Sequence, residues 1–300
     1  MSEDARGMRL MTMNVLAPSY ADGPSRRAVL AEELKRLGPD VLALQEVTRE
    51  DVEGLERSGW HVLPHPRWSA EGVGAVLAAR TAFGRSVSDP LEVTERTAHT
   101  DWCGVLAAEL LFPEPLGAVL VVHHKPSWPY GWEREREMQA LVAARLAESA
   151  AAERSLRHTV LLGDFDATPQ AASMRFLQGL QSLEGESVCF QDAWSTVHPS
   201  EHGPTFSSGN PLVRQGDMPE AADRRIDYIM LRCGPYGPTL RVTSCQRVLA
   251  RPVNGVYASD HYGLVADLSL PDHPPGQWSS NHQQRCPSRT GVPRRTPSNP

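Results

Sequence analysis

The sequence predicts an α/β or α+β domain with more strands than helices. Three observations carry that prediction. Short apolar runs of strand length alternate with amphipathic stretches of helical spacing. Polar and acidic residues recur where the apolar runs end. A chain of 300 residues that is 40% hydrophobic and 22% charged is long enough to bury a sizeable core.

Met8–Val15 reads as a strand. Asp22-Gly-Pro-Ser25 caps a helix with Leu30, Leu34 and Leu37 on one face, stopped by Gly38-Pro39. Val41–Gln45 is a second strand, and Gly74–Ala79, Val105–Leu111 and Ala118–His123 are three more. A helix is expected over Glu133–Ala152, with Met138, Leu141, Val142 and Leu146 facing the core. Its opening charge run, Glu133-Arg-Glu-Arg-Glu137, reads as a solvated face. Thr159–Leu162 is a buried strand, and Thr168-Pro169 reads as the start of another helix. Ile226–Leu231, Thr239–Gln246 and Leu264–Leu268 complete the strands.

Composition excludes several classes. The longest apolar runs, Val73–Ala79 and Gly117–Val122, fall far short of the about 20 residues that a membrane span needs. Met1–Arg9 is charged and has no apolar stretch, so no secretion leader is expected. Five cysteines without C-x-x-C spacing argue against a disulfide framework or a zinc ribbon, and a cytoplasmic location is expected. The net charge is −6, which leaves no broad basic footprint for nucleic acid, although a bound metal ion can supply positive charge locally. Residues 1–270 read as one domain. Pro271–Pro300, rich in Pro, Ser, Arg and Gln, reads as a disordered tail.

The strand-end residues carry the chemistry. Asn14 lies near the end of the first strand and Glu46 ends the second; Asp164 and Asp166 follow Val160-Leu-Leu-Gly163. Asp227 opens the strand Ile226–Leu231, and Ser259-Asp260-His261 precedes the last strand. Loops at strand ends are where α/β folds place their sites. Carboxylates that converge without basic partners repel one another, and Mg²⁺ relieves that repulsion while accepting substrate phosphate. Histidines beside such a cluster suit proton transfer or charge stabilisation. The residues therefore point to a Mg²⁺-dependent hydrolase of a phosphorylated substrate.

Five motifs stand in order: Thr12-Met-Asn14-Val-Leu, Leu44-Gln-Glu46-Val, Gly163-Asp-Phe-Asp166, Arg225-Ile-Asp-Tyr-Ile229 and Ser259-Asp-His261. Together they resemble the endonuclease/exonuclease/phosphatase superfamily, the deoxyribonuclease I-like group, from about residue 8 to residue 270. The resemblance implies a four-layer α/β/β/α sandwich, with two packed mixed sheets flanked by helices and a site at one edge. It implies Glu46 as the main metal ligand and Asp260 as a second acidic residue of the metal shell. Asn14 is expected near metal and phosphate, and His261 on a non-bridging oxygen as donor or base. Asp227 would orient His261, and Asp164 would position or deprotonate the attacking water.

Two departures mark this chain. Asp166 stands where the family usually has Asn, and a carboxylate repels phosphate unless it is protonated or metal-bound. Asp166 is therefore expected either to hold a second cation or to lower activity on the usual substrates. After Ala118–Val122, where the family shows Asn-x-His or a lone His, the chain reads His123-His124-Lys125-Pro126-Ser127-Trp128. His124 is taken as the family histidine, with His123 as the alternative, and Lys125 as able to reach an extra phosphate. Trp128, Tyr130 and Trp132 either stack on a base or simply pack in the core.

The expected activity is a phosphodiesterase or nuclease-like reaction with Mg²⁺, or Mn²⁺ in its place, on nucleic acid or a small phosphorylated molecule, by a monomer without a membrane span. The alternatives are a phosphatase of inositol phosphates or another small phosphomonoester, and a non-catalytic binding protein on the same fold.

Overall fold

The computed structural model describes residues 7–99 and 102–277. The N-terminal half runs β1 (Gly7–Asn14), α1 (Gly23–Leu37), β2 (Val41–Val47), α2 (Arg49–Arg57), β3 (His61–Trp68), β4 (Gly74–Ala79), β5 (Ser86–Asp89), α3 (Glu95–Ala98), β6 (Gly104–Leu111) and β7 (Ala118–Lys125). Then follow α4 (Glu133–Glu153), β8 (His158–Asp164), α5 (Ala172–Leu177), β9 (Phe190–Asp192), α6 (Ala193–Val197), α7 (Pro211–Gln215), β10 (Asp227–Gly234), β11 (Gly237–Pro238), β12 (Arg241–Val248) and β13 (Gly263–Ser269).

The strands form two mixed sheets. One has the order β12-β13-β1-β2-β4-β3; the other has the order β11-β10-β8-β7-β6-β5, with β9 beside β10. Each contains one parallel pair joined through a helix, β1-α1-β2 and β7-α4-β8. Three apolar clusters define the layers. Leu10, Val41, Ala43, Val119, Val121, Val160, Leu162 and Ile229 meet between the sheets. Met11, Met13, Leu42 and Leu44 pack against Leu30 and Leu34 of α1. Leu120, Val122, Leu161 and Met230 pack against α4 and α5. The result is the expected α/β/β/α sandwich.

Local chemistry accounts for the elements. Asp22 caps α1 by accepting from the Ser25 amide, Pro24 sits in its first turn, and Gly38 closes it in the left-handed conformation at φ 56°. Helix α4 meets its sheet mainly through Ala140, Ala143, Ala144, Ala147 and Ala151, small side chains that let the backbone approach closely. Of the expected face, Leu141 is buried in this cluster and Val142 and Leu146 pack against it while only partly buried, as is Met138. The charge run is not uniformly solvated. Glu135 and Arg136 are buried, and Arg136 donates to the carbonyls of Ser127, Pro129 and Tyr130.

Other boundaries differ from expectation. Thr168-Pro169 opens a turn, closed by the Ala171 amide on the Thr168 carbonyl, and helix α5 begins only at Ala172. The periodicity gave no sign of β3, which contains Pro64 and Pro66 and lies at a sheet edge, where missing donors are tolerated. The expected disordered tail lies outside the described residues from 278 onward.

Candidate active site

Strand alternation delivers three of the predicted residues to one place. Asn14 shares the inter-sheet face of β1 with Leu10; Asp164 shares that of β8 with Leu162, and Asp227 that of β10 with Ile229. All three stand at strand ends, and Asp164 and Asp227 are paired directly across β8 and β10. Glu46 does not follow from alternation, which would turn it toward α1 with Leu42 and Leu44. A register shift between Gln45 and Val47, with Glu46 in the left-handed region at φ 59°, redirects it. Asp166 is likewise left-handed at φ 51°. Such backbone is held only where the surroundings over-determine it, and functional sites are where it clusters.

A connected set of hydrogen bonds joins these residues. The Asn14 amide donates to Glu46 Oε1 at 3.0 Å and to Asp164 Oδ2 at 3.2 Å, bridging the two sheets. The Ala17 amide donates to Glu46 Oε2. Ser259 Oγ donates to the Asn14 carbonyl, and Asn210 donates to the carbonyls of Ser259 and Asp260. His261 Nδ1 lies 3.0 Å from Asp227 Oδ2, and the Phe206 ring packs 5.0 Å from the imidazole. The loop after β1 is held by buried Arg26, whose guanidinium donates to the carbonyls of Val15, Leu16, Ala17, Tyr20, Ala21 and Ala258.

Asn14, Glu46, Asp164, Asp166, Asp260, His261 and Lys125 line one cleft of about 450 Å³, and Asp227 lies buried behind His261. His124 does not reach it. On β7, His123 and Lys125 share one face and His124 the other; His124 packs against Phe165, 5.0 Å between ring centroids, on the α4 side. The assignment of His124 to the site is therefore corrected. His123 faces the sheet interface, 2.7 Å from Gln45, beneath the cleft rather than in it. Thr205, which accepts from the Asp227 amide, and Asn210 were not anticipated, because both sit in the irregular segment between α6 and α7.

The electrostatics are one-sided. Six carboxylates (Glu46, Glu71, Asp164, Asp166, Asp217 and Asp260) line the cleft against Lys125 and Arg224. Burial raises the Asp260 carboxyl, and neighbouring Glu46 raises it further, against His261. Burial raises Asp227 to about 6, with Asp164 adding to the shift and His261 opposing it. Burial works against the His261 cation, but Asp227, Asp164 and Asp260 outweigh it and leave the imidazole well above its ordinary range. Burial works against the Asp164 anion, yet Lys125, His261 and the Asn14 amide bring it down. A cleft of hard oxygen donors that repel one another fits a divalent cation. Asp164, Asp227 and His261 also offer ligand atoms within 4.8 Å of one another, a second place where an ion could be held.

The sequence model of the Endonuclease/Exonuclease/phosphatase family matches residues 11–261. The chain belongs to the endonuclease/exonuclease/phosphatase family. Family membership places it among phosphoric ester hydrolases. Solved structures share the fold at low identity. D. rerio TDP2 complexed with single-strand DNA product aligns with a TM-score of 0.69 at 19% identity, covering 88% of this chain and 99% of that one. The human nocturnin catalytic domain with bound sulfate aligns at 0.62 and 21%, covering 88% and 95%. A Bacteroides vulgatus member of the family aligns at 0.67 and 18%, covering 88% and 99%. No curated protein sequence matches the chain.

Proposed function

We propose that this protein is a Mg²⁺-dependent phosphodiesterase of the nuclease type, in which water attacks phosphorus in line. The observation that carries this reading is the convergence of Asn14, Glu46, Asp164, Asp260 and His261 on one cleft, with Asp227 bonded behind His261. Glu46 and Asp260 would hold the cation, whose chemistry is to neutralise charge developing on the phosphoryl and leaving oxygens. Asp164, kept ionised by Lys125 and His261, orients the attacking water and accepts its proton. His261, kept protonated by Asp227, donates to a non-bridging oxygen. Asn14 fixes Glu46 and Asp164 relative to each other.

The surroundings favour a diester of nucleotide character over inositol phosphates. A polyphosphate needs a basic pocket, whereas carboxylates outnumber basic groups in this cleft. Tyr20 and Trp128 line the cleft while 52% and 43% exposed, surfaces on which a base stacks. The fold is shared with a TDP2 solved with a single-strand DNA product, which is consistent with such a substrate.

The test compares bis-(p-nitrophenyl) phosphate with p-nitrophenyl phosphate, in Mg²⁺ and in EDTA, with Glu46→Ala as control. Diester hydrolysis lost in both EDTA and Glu46→Ala is the expected result. A preference for the monoester moves the reading to a phosphatase. Hydrolysis that survives in Glu46→Ala overturns the metal assignment.

A further inference from the structure

Only two lysines occur in this chain, Lys35 and Lys125, against 28 arginines. Lys35 is exposed and pairs with Glu32. Lys125 is 1% exposed and lines the cleft. Its ammonium donates to Asp166 Oδ2 and lies 3.3 Å from Asp164 Oδ2, with the Trp102 ring centroid 4.4 Å away. Its remaining described contact is the Pro126 carbonyl at 3.4 Å, longer than a good hydrogen bond. One of its three N–H groups is therefore committed to the Asp166 carboxylate, Asp164 is an ion-pair partner beside it, and the weak contact to Pro126 is one that an incoming oxygen displaces.

A buried ion pair contributes little net stability, because desolvation offsets its Coulomb attraction. Stability alone is thus a poor reason to place Lys125 and Asp166 together beside the reacting residues. Lysine also differs from arginine here: it is a compact point charge, and three rotatable donors let it keep one carboxylate while accepting a new partner. The left-handed backbone at Asp166, with its amide donating to Asp164 Oδ1 and its carbonyl accepting from Arg224, fixes the carboxylate on which Lys125 rests.

We propose that Lys125 is a substrate-contacting residue: its ammonium takes a non-bridging oxygen of the scissile phosphate, and Asp166 is the positioning carboxylate that aims it. The inference rests on the phosphoester reading above. It also gives Asp166 a role that needs no second metal ion, since its negative charge is matched by Lys125 before phosphate arrives.

The competing account is that Lys125 only neutralises Asp166. The two separate in the charge-neutral double variant Lys125→Met/Asp166→Asn, compared with wild type, Lys125→Met, Lys125→Arg and Asp166→Asn in the full chain. Lys125→Met alone strands two buried carboxylates and can fail to fold; the double variant removes that burden. The double variant is expected to keep the thermal midpoint of wild type but to lose at least about 100-fold in kcat on the aryl diester. Its affinity for inorganic phosphate, measured by calorimetry in saturating Mg²⁺, is expected to fall at least tenfold. Lys125→Arg should recover part of both losses. Asp166→Asn alone should raise KM more than it lowers kcat, because Lys125 keeps its contact with Asp164. A double variant that turns over or binds phosphate like wild type overturns the proposal, and so does a wild type that binds no phosphate. If wild type binds phosphate but cleaves no ester, the hydrolase reading fails alone, and the phosphate titration still decides the role of Lys125.

Discussion

The Nδ1 atom of His261 stands 3.0 Å from Oδ2 of Asp227, and this bond crosses from the loop entering β13 in one sheet to the start of β10 in the other. Behind it, the Asp227 backbone amide donates to Thr205 Oγ1, which holds the main chain at the start of β10. Asp227 is thus bonded to the His261 imidazole and, together with Asp164 and Asp260, favours its cation.

Asp227→Asn is expected to lower kcat about 100-fold while leaving the fold intact. The pH dependence carries the sharper signature. His261 is raised because Asp227, Asp164 and Asp260 favour its cation over the cost of burial. Activity that needs the cation is present at low pH and lost as pH rises through the raised value. Removing the Asp227 charge moves that alkaline limb to lower pH, as a pH–rate profile records. An unmoved limb rules out His261 as the protonated donor.

Glu46→Gln is expected to weaken Mg²⁺ binding by about 10- to 100-fold, measured by calorimetric titration of the apoprotein. In EDTA its thermal midpoint should not fall, since Glu46 and Asp260 repel each other without a cation. Unchanged Mg²⁺ affinity would shift the ion to the Asp164, Asp227 and His261 cluster instead.

Arg26→Met removes a donor from six backbone carbonyls; those of Val15 and Leu16 keep Arg27 and that of Ala17 keeps the Tyr20 amide, so the carbonyls of Tyr20, Ala21 and Ala258 are the ones it strips. Each buried acceptor left without a partner costs about 1–3 kcal/mol. Partial rehydration reduces the total, and a loss of about 3 kcal/mol or more is expected in urea unfolding. A loss below about 1 kcal/mol would show that the loop holds itself.

His65→Leu tests acid sensitivity. Burial lowers the His65 imidazole to about 3, from an ordinary value of 6.5, and neither ring nitrogen finds a partner among the described residues. Between those two values the unfolded chain binds a proton that the folded chain refuses, so His65 makes stability rise with pH across that window. The effect is about 1.4 kcal/mol per pH unit. Replacement by Leu should flatten the stability–pH slope by about one proton between pH 4 and 6, with no loss at pH 7. Parallel slopes for wild type and variant would refute it.

How far the sequence carried the site depended on residue type and strand phase. Asn14, Asp164 and Asp227 were legible because each is a polar residue at the end of an apolar run, on the face that alternation assigns to the sheet interface. Lys125 was displaced by His124 in that reading because β7 is apolar on both faces. Val119 and Val121 face one core and Leu120 and Val122 the other, so composition carries no phase to show which of three consecutive polar residues points inward. The redirection of Glu46 depends on one left-handed residue, which only its motif anticipated. Asn210 and Thr205 act through a long irregular segment whose folding follows from contacts across the domain.

The pairing of β1 with β13 has a consequence for synthesis on the ribosome. Gly7–Thr12 lies against Leu264–Ser269, and the Ser259 hydroxyl seals the two ends by bonding the Asn14 carbonyl across 245 sequence positions. A nascent chain that already displays Glu46, Asp164 and Asp227 still lacks Asp260, His261 and the strand that seats β1. The acidic cluster therefore stays incomplete, and β1 without one of its two neighbouring strands, until β13 has been synthesised.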